Sequence, residues 1–229
     1  MSIKEKIESL NNTIAPFKGA SLLAVSKTKP GSLIVEAYLA SQRNFGENKV
    51  QELLEKSNEL KEICPDIKWH FIGGLQSNKI NMLLKTHNLV SIHSIDSIKL
   101  LNKLLSKNID KKVGIFLQIN TSGEVEKGGF ATGHKAEIFD AVDLLRQQSH
   151  FYLQGLMTIG RIRTENFEED AALCFKELVD LKADISQNFK LNNLELSMGM
   201  SSDYPIALKL GTNWVRIGSN IFGTRQLKT

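Results

Sequence analysis

Eight short apolar runs alternate with amphipathic stretches along the 229 residues, and this alternation limits the fold more than any other feature of the chain. The runs cover residues 22–25, 44–48, 69–73, 89–93, 113–120, 152–159, 194–198 and 214–218. Between them apolar residues recur at helical spacing. The first such sets are Leu33, Ile34, Ala37 and Tyr38, then Val50, Leu53, Leu54 and Leu60, then Ile80, Leu83 and Leu84, with Ser77 as the expected cap of the third helix. Leu101, Leu104 and Leu105 follow, then Ile138, Val142 and Leu145, then the longest stripe, Phe167, Ala171, Cys174, Leu178, Leu181 and Ile185, and a short helix over 206–210. Cys174 on that stripe is expected to be a core residue, since a free cysteine packs as a small hydrophobe. Ile3, Ile7, Leu10 and Ile14 add a helix over 2–15 ahead of the first strand. No linker or internal repeat divides the units. Strand–helix alternation specifies a parallel sheet, and eight units specify a single (β/α)8 TIM-type barrel with an extra N-terminal helix, one domain over 1–229. A doubly wound open sheet is the competing arrangement.

A formal charge of +4 without a basic tract gives no footprint for nucleic acid. The N-terminus lacks an apolar signal-like region, and no uncharged run is long enough to span a bilayer. Cys64 and Cys174 lie far apart with no metal or redox spacing. A cytoplasmic protein is therefore expected, with no membrane and no metal.

In such a barrel, chemistry sits at the carboxyl ends of the strands. That rule places Lys27, Asn48, Gly73, Gly74, His93, Asn120, Thr158, Ser201 and Gly218 on one rim. Along 113–120, Ile115, Leu117 and Ile119 share one face and should meet the helices. Phe116, Gln118 and Asn120 should point inward, turning polar toward the rim. Lys27 follows Val25 by two residues and shares its face. A lysine there is a candidate imine former, because burial favours the neutral amine, whereas an ordinary surface lysine is the competing reading. Arg216, between Val215 and Ile217, should face the interior, where a guanidinium needs an acceptor or an anionic partner; Glu47 and Glu195 are the candidate ion-pair partners. Loops after the last two strands are the usual phosphate cradle of this fold, which marks Ser201, Gly218 and Ser219, although Ser201-Ser202-Asp203 also reads as a helix cap. An amine, an anion cradle and an arginine together suit pyridoxal 5′-phosphate (PLP), with its aldehyde, ring and phosphate. His70 and His93 are expected to be hydrogen-bonded structural residues rather than an acid or base at the rim. Lys127-Gly128-Gly129 reads equally as a flap or as an inert loop.

Several motifs occur together and in order: Val25-Ser26-Lys27-Thr28-Lys29-Pro30, Phe45-Gly46-Glu47-Asn48, Trp69-His70-Phe71-Ile72-Gly73, Ile92-His93-Ser94-Ile95-Asp96-Ser97, Gly155-Leu156-Met157-Thr158, Ser197-Met198-Gly199-Met200-Ser201 and Val215-Arg216-Ile217-Gly218. In these the chain closely resembles the pyridoxal phosphate homeostasis protein family, whose fold is similar to the N-terminal barrel of alanine racemase. The resemblance runs from about residue 20 to residue 225. It implies PLP as cofactor, held as a Schiff base on Lys27, with Arg216 at the pyridine nitrogen. It further implies Ser201, Gly218 and Ser219 at the phosphate and Asn48 lining the site. Gly74, Lys49 and Gly160 depart from the family pattern, where a larger residue, an aromatic and a proline are usual. None is a ligand in the resemblance.

The implied function is intracellular PLP homeostasis, by cofactor binding, buffering or delivery, without turnover and with no catalytic residue assigned. PLP-dependent enzymes are the expected recipients, and a monomer is the expected state. A PLP-dependent amino-acid racemase or lyase is the main alternative, and a lysine-imine aldolase acting on a sugar phosphate is another. An arginine partner leaves the pyridine nitrogen largely unprotonated and weakens the electron sink that carbanion chemistry uses. The sequence ending at Thr229 adds the expectation that no second domain brings a tyrosine over the opposite face.

Overall fold

The computed structural model of the chain describes residues 1–124, 126–161 and 164–223. Val125, in the loop after the fifth strand, and residues 224–229, assigned above to the domain, lie outside the described residues.

The eight predicted strands form and close. They are β1 (Ser21–Val25), β2 (Asn44–Glu47), β3 (Lys68–Phe71), β4 (Leu89–Ile95), β5 (Val113–Asn120), β7 (Phe151–Met157), β8 (Glu195–Met200) and β9 (Trp214–Ile217). β6 (Phe130–Ala131) is a two-residue addition that pairs with the end of β5, at Ile119 and Asn120. The order β4-β3-β2-β1-β9-β8-β7-β5, with β4 also paired to β5, makes a closed barrel of eight parallel strands, so the open sheet is excluded. The helices are α1 (Ile3–Ile14), α2 (Gly31–Leu39), α3 (Val50–Leu60), α4 (Ile80–Leu83), α5 (Ile98–Leu105), α6 (Lys135–Arg146), α7 (Phe167–Phe189), α8 (Tyr204–Lys209) and α9 (Ser219–Phe222).

Local chemistry explains these boundaries. Ser2 and Glu5 form a reciprocal capping box at the start of α1, and the Ile3, Ile7, Leu10 and Ile14 stripe is buried. Pro30, which cannot continue a strand ladder, stands as N-cap of α2. Ser77 does not cap a helix. It opens a 3-10 turn (Ser77–Lys79) before the four-residue α4, and its hydroxyl accepts from Lys103 Nζ at 3.2 Å. Gln76 holds the cap position of that turn and Lys79 that of α4, so the Ser77 hydroxyl is not placed to cap either.

The core has two layers. Ile115, Leu117 and Ile119 pack in the layer between strands and helices, together with Leu22, Ala24, Phe45 and Trp69. Cys174 is buried and its Sγ donates to Thr121 O at 3.4 Å. Inside the barrel, Phe116 stacks on His93 with ring centroids 4.1 Å apart. His70 and His93 are both buried in this interior, which corrects the placement of His93 at the rim: β4 continues to Ile95, so its carboxyl end is two residues later. No helix among the described residues is long and apolar enough to cross a membrane, and none of them form a group of three or more metal-ligating side chains.

Candidate functional site

At the end of β1, Lys27 is flanked by two residues that are fixed from outside the barrel. The buried Ser26 donates its hydroxyl to Glu47 Oε1 at 2.7 Å, and its carbonyl accepts from Lys56 Nζ at 2.8 Å. Lys56 also donates to Glu47 Oε1 and Glu52 Oε1, both at 2.7 Å. Glu52 Oε1 accepts the Thr28 N–H at 2.5 Å, and Thr28 sits at φ 65°, a left-handed conformation unusual for a β-branched residue. Burial pushes the Glu47 carboxyl up from its ordinary value, against the pull of Lys56 and Ser26. Lys27 itself is half-buried and sits in the turn that follows β1, between these two anchored residues.

Asn48 follows β2. Its Oδ1 is buried and has no hydrogen-bond partner among the described residues. A Cβ on Gly73 would lie 2.0 Å from Asn48 O, so the end of β3 needs glycine to approach it. The β9 end also approaches β1 tightly: a Cβ on Gly218 would lie 3.0 Å from Val25 O. Ser219 Oγ donates to Ser201 Oγ at 3.1 Å, so the loops after β8 and β9 present two hydroxyls beside Gly218. Asp203 does not cap α8 through its side chain. Instead it accepts the Met200 N–H at 2.5 Å and fixes the Ser201 turn, with burial pushing its carboxyl up.

Arg216 is buried inside the barrel, and neither Glu47 nor Glu195 is its partner: Glu47 is taken by Lys56, and Glu195 accepts from Gln154 and Trp214. Its Nη1 donates to Ser197 Oγ and its Nη2 to Thr158 O, both at 2.8 Å. Desolvation lowers its pKa to about 10, opposed by the charge of Asp203, so the guanidinium stays cationic at neutral pH. With five N–H donors on the guanidinium, these two bonds leave donors for a ligand.

The predicted residues thus occupy one end of the barrel, Lys27, Asn48, Ser201, Gly218 and Ser219 at strand ends and Arg216 within β9. Gln118 and Asn120 point inward as expected but serve the loop. Gln118 Nε2 donates to Gly128 O at 2.6 Å, and Asn120 Nδ2 donates to Glu124 O and Lys127 O at 2.9 and 3.0 Å. Sequence reasoning missed the roles of Ser197, Thr158 and Lys56. Lys56 carried a signal: it lies on the buried face of α3 among Val50, Leu53, Ser57 and Leu60, where a charge needs a buried partner.

The fold and rim define a class. The model of the alanine racemase N-terminal domain family matches residues 1–226. Alanine racemase from Corynebacterium glutamicum shares the fold, with a TM-score of 0.72 over 98% of this chain and 61% of that one, at 13% identity. PipY of Synechococcus elongatus is much more similar: its structure with PLP bound gives a TM-score of 0.84 at 34% identity, covering 97% of this chain and all of PipY. The pyridoxal phosphate homeostasis proteins of Homo sapiens and Schizosaccharomyces pombe are each 41% identical to this chain. The human match covers 89% of this chain and 76% of the human protein, and the yeast match covers 98% and 92%. The chain belongs to the pyridoxal phosphate homeostasis protein family.

Proposed function

We propose that this chain binds PLP in intracellular PLP homeostasis, holding, buffering or delivering the cofactor without turning over a substrate, and that the 229-residue chain acts as one barrel domain. What supports this reading is that Lys27, half-buried just past the end of β1, and the two hydroxyls beside Gly218 lie at the carboxyl ends of the paired strands β1 and β9 and the neighbouring β8.

The residues fit the cofactor. Ser201, Ser219 and the Gly218 backbone would hold the phosphate, and a Cβ on Gly218 would press on Val25 O at 3.0 Å, which favours glycine there. Arg216 would face the pyridine nitrogen with the N–H groups that Ser197 and Thr158 do not use. Asn48 keeps a buried, unpartnered amide oxygen for a ring substituent. Lys27 would supply the amine for covalent attachment. Bound PLP supplies an aldehyde that condenses reversibly with an amine and a ring that absorbs visible light. The protein's own contribution is to hold Lys27 in place through the Lys56–Glu47–Glu52 cluster and to face the ring nitrogen with a cation rather than an acid. A positive partner disfavours protonation of that nitrogen, which suits storage better than carbanion chemistry.

A spectral titration tests this. Wild-type protein with PLP should turn yellow, and Lys27→Ala should lose the imine absorbance while keeping some noncovalent cofactor. An unchanged spectrum in that variant would refute the assignment of Lys27. Incubation with common amino acids should give no rapid racemisation or loss; brisk turnover of any one would favour a PLP-dependent racemase or lyase.

A further inference from the structure

We propose that Ser197, His93, Ser91 and His70 form a one-way hydrogen-bonded chain through the barrel interior that positions the Arg216 guanidinium, with Asn44 as the terminal acceptor. The inference rests on the PLP reading, since the position it fixes is that of the group facing the ring nitrogen.

The distances are continuous. Arg216 Nη1 lies 2.8 Å from Ser197 Oγ, which lies 2.9 Å from His93 Nδ1. His93 Nε2 lies 2.8 Å from Ser91 Oγ, which lies 2.7 Å from His70 Nδ1. His70 Nε2 lies 3.1 Å from Asn44 Oδ1. His93 Nε2 and His70 Nδ1 also face each other at 3.2 Å, so at most one of these two atoms carries a hydrogen.

Donor and acceptor counting fixes the direction from both ends. A guanidinium only donates, so Ser197 accepts from Arg216 and has its own hydrogen for His93 Nδ1. At the far end an amide oxygen only accepts, so His70 Nε2 carries the hydrogen. A neutral His70 then has a bare Nδ1, which must accept from Ser91. Ser91 must in turn accept from His93 Nε2–H, and His93 Nδ1 is left bare to accept from Ser197. The two counts meet without a conflict. They close with both histidines neutral and the hydrogen on Nε2 of each. Full burial supports this, lowering the His70 pKa to about 3 and that of His93 well below the ordinary value, with Lys68 and Arg216 adding positive charge nearby. Trp214 and Phe116 pack on the two rings, with centroids 5.0 and 4.1 Å away, and hold their planes.

A chain of this kind gives Arg216 one seat. Rotating the guanidinium would strand the Ser197 oxygen lone pair and break the Thr158 contact together. Buried polar networks that are fully satisfied specify one arrangement in this way.

Two measurements test it on the full chain. Nitrogen NMR of histidine-labelled protein should show two of the five histidines as neutral Nε2–H tautomers that do not titrate between pH 5 and 8. Titration of either, or an Nδ1–H tautomer at either, would overturn the direction. PLP binding by absorbance should be weakened about tenfold in Ser197→Ala, the scale of losing one hydrogen bond to a charged group. The band of the bound cofactor should shift, and Ser197→Thr, which keeps the hydroxyl, should restore both. Ser91→Ala, one link further away, should show a smaller change of the same sign and serves if Ser197→Ala does not fold. Wild-type affinity and band position in the alanine variants, with Lys27 still labelled on borohydride reduction, would refute the positioning role alone. Failure of wild-type protein to be labelled at Lys27 would refute the PLP reading instead, and the tautomer measurement would still decide the chain.

Discussion

Lys56→Met is the sharpest probe of how the Lys27 strand end is held. Lys56 is buried with all three ammonium hydrogens engaged, to Ser26 O at 2.8 Å and to Glu47 Oε1 and Glu52 Oε1 at 2.7 Å. Methionine keeps most of the stem volume, so the loss is electrostatic rather than a cavity. Glu47, fully buried, is then left without its cation. Breaking a buried pair from one side costs about 3–5 kcal/mol if the remaining charge persists. Glu47 has an escape, because taking up a proton at pH 7 costs about 3.7 kcal/mol, from an ordinary value near 4.3 at ~1.36 kcal/mol per pH unit. The destabilisation at pH 7 should therefore be about 3–4 kcal/mol. The sign of the pH effect follows from the same group. A carboxyl whose pKa is raised in the folded state binds more protons folded than unfolded, so its contribution to stability falls as pH rises from about 4.3 toward the raised value. Lys56→Met raises the Glu47 pKa further, so the gap to wild type should shrink to about 1–2 kcal/mol at pH 5, where neutralising Glu47 costs only ~1 kcal/mol. Urea unfolding at pH 5 and pH 7 measures both values. Glu47→Gln combined with Lys56→Met should recover most of the loss, since removing both partners leaves no stranded charge. A gap below about 1 kcal/mol at pH 7, or one that does not change with pH, would refute the assignment of Lys56 as the counterion of Glu47.

Arg216→Ala should raise the Kd for PLP by about 10–100-fold, the scale of losing a charge-assisted hydrogen bond, while circular dichroism stays that of the folded barrel; a misfolded product would mean that Arg216 is chiefly a core residue. Gly155→Ala should lower Tm by several degrees, because its Cβ would lie 2.0 Å from Glu195 O and would push β7 from β8; an unchanged melting curve would contradict that close approach. Ser2→Ala, which removes the capping box of α1, should cost about 1 kcal/mol in urea unfolding; no loss would mean that packing alone holds α1.

The architecture was legible because periodicity is set residue by residue. The β5 alternation assigned Ile115, Leu117 and Ile119 to the helix layer and Phe116 to the interior, and both placements hold. The rim rule brought Lys27, Asn48, Ser201 and Gly218 to one end without any distance information. What the sequence left open depends on competition for partners. Ser77 had the right residue type for a cap, but the turn begins at Ser77 itself and leaves the cap positions to Gln76 and Lys79. Gln118 and Asn120 had the right orientation for a ligand, but the loop after β5 supplies carbonyls that take their amides. Arg216 was read correctly as an interior cation, but its acceptors are a serine hydroxyl and a backbone carbonyl, which no count of carboxylates finds. His93 was set at the rim because β4 was read two residues short, and β4 ends in Ile95, a position whose apolar character suits a strand as well as the start of a helix.

Borohydride reduction of the PLP-treated protein, followed by digestion and peptide mass spectrometry, tests the covalent site most directly. The modified residue should be Lys27, in nearly stoichiometric yield, and Lys27→Ala should give no specific label elsewhere. A label confined to another lysine, or spread over surface lysines with Lys27 unmodified, would contradict the account.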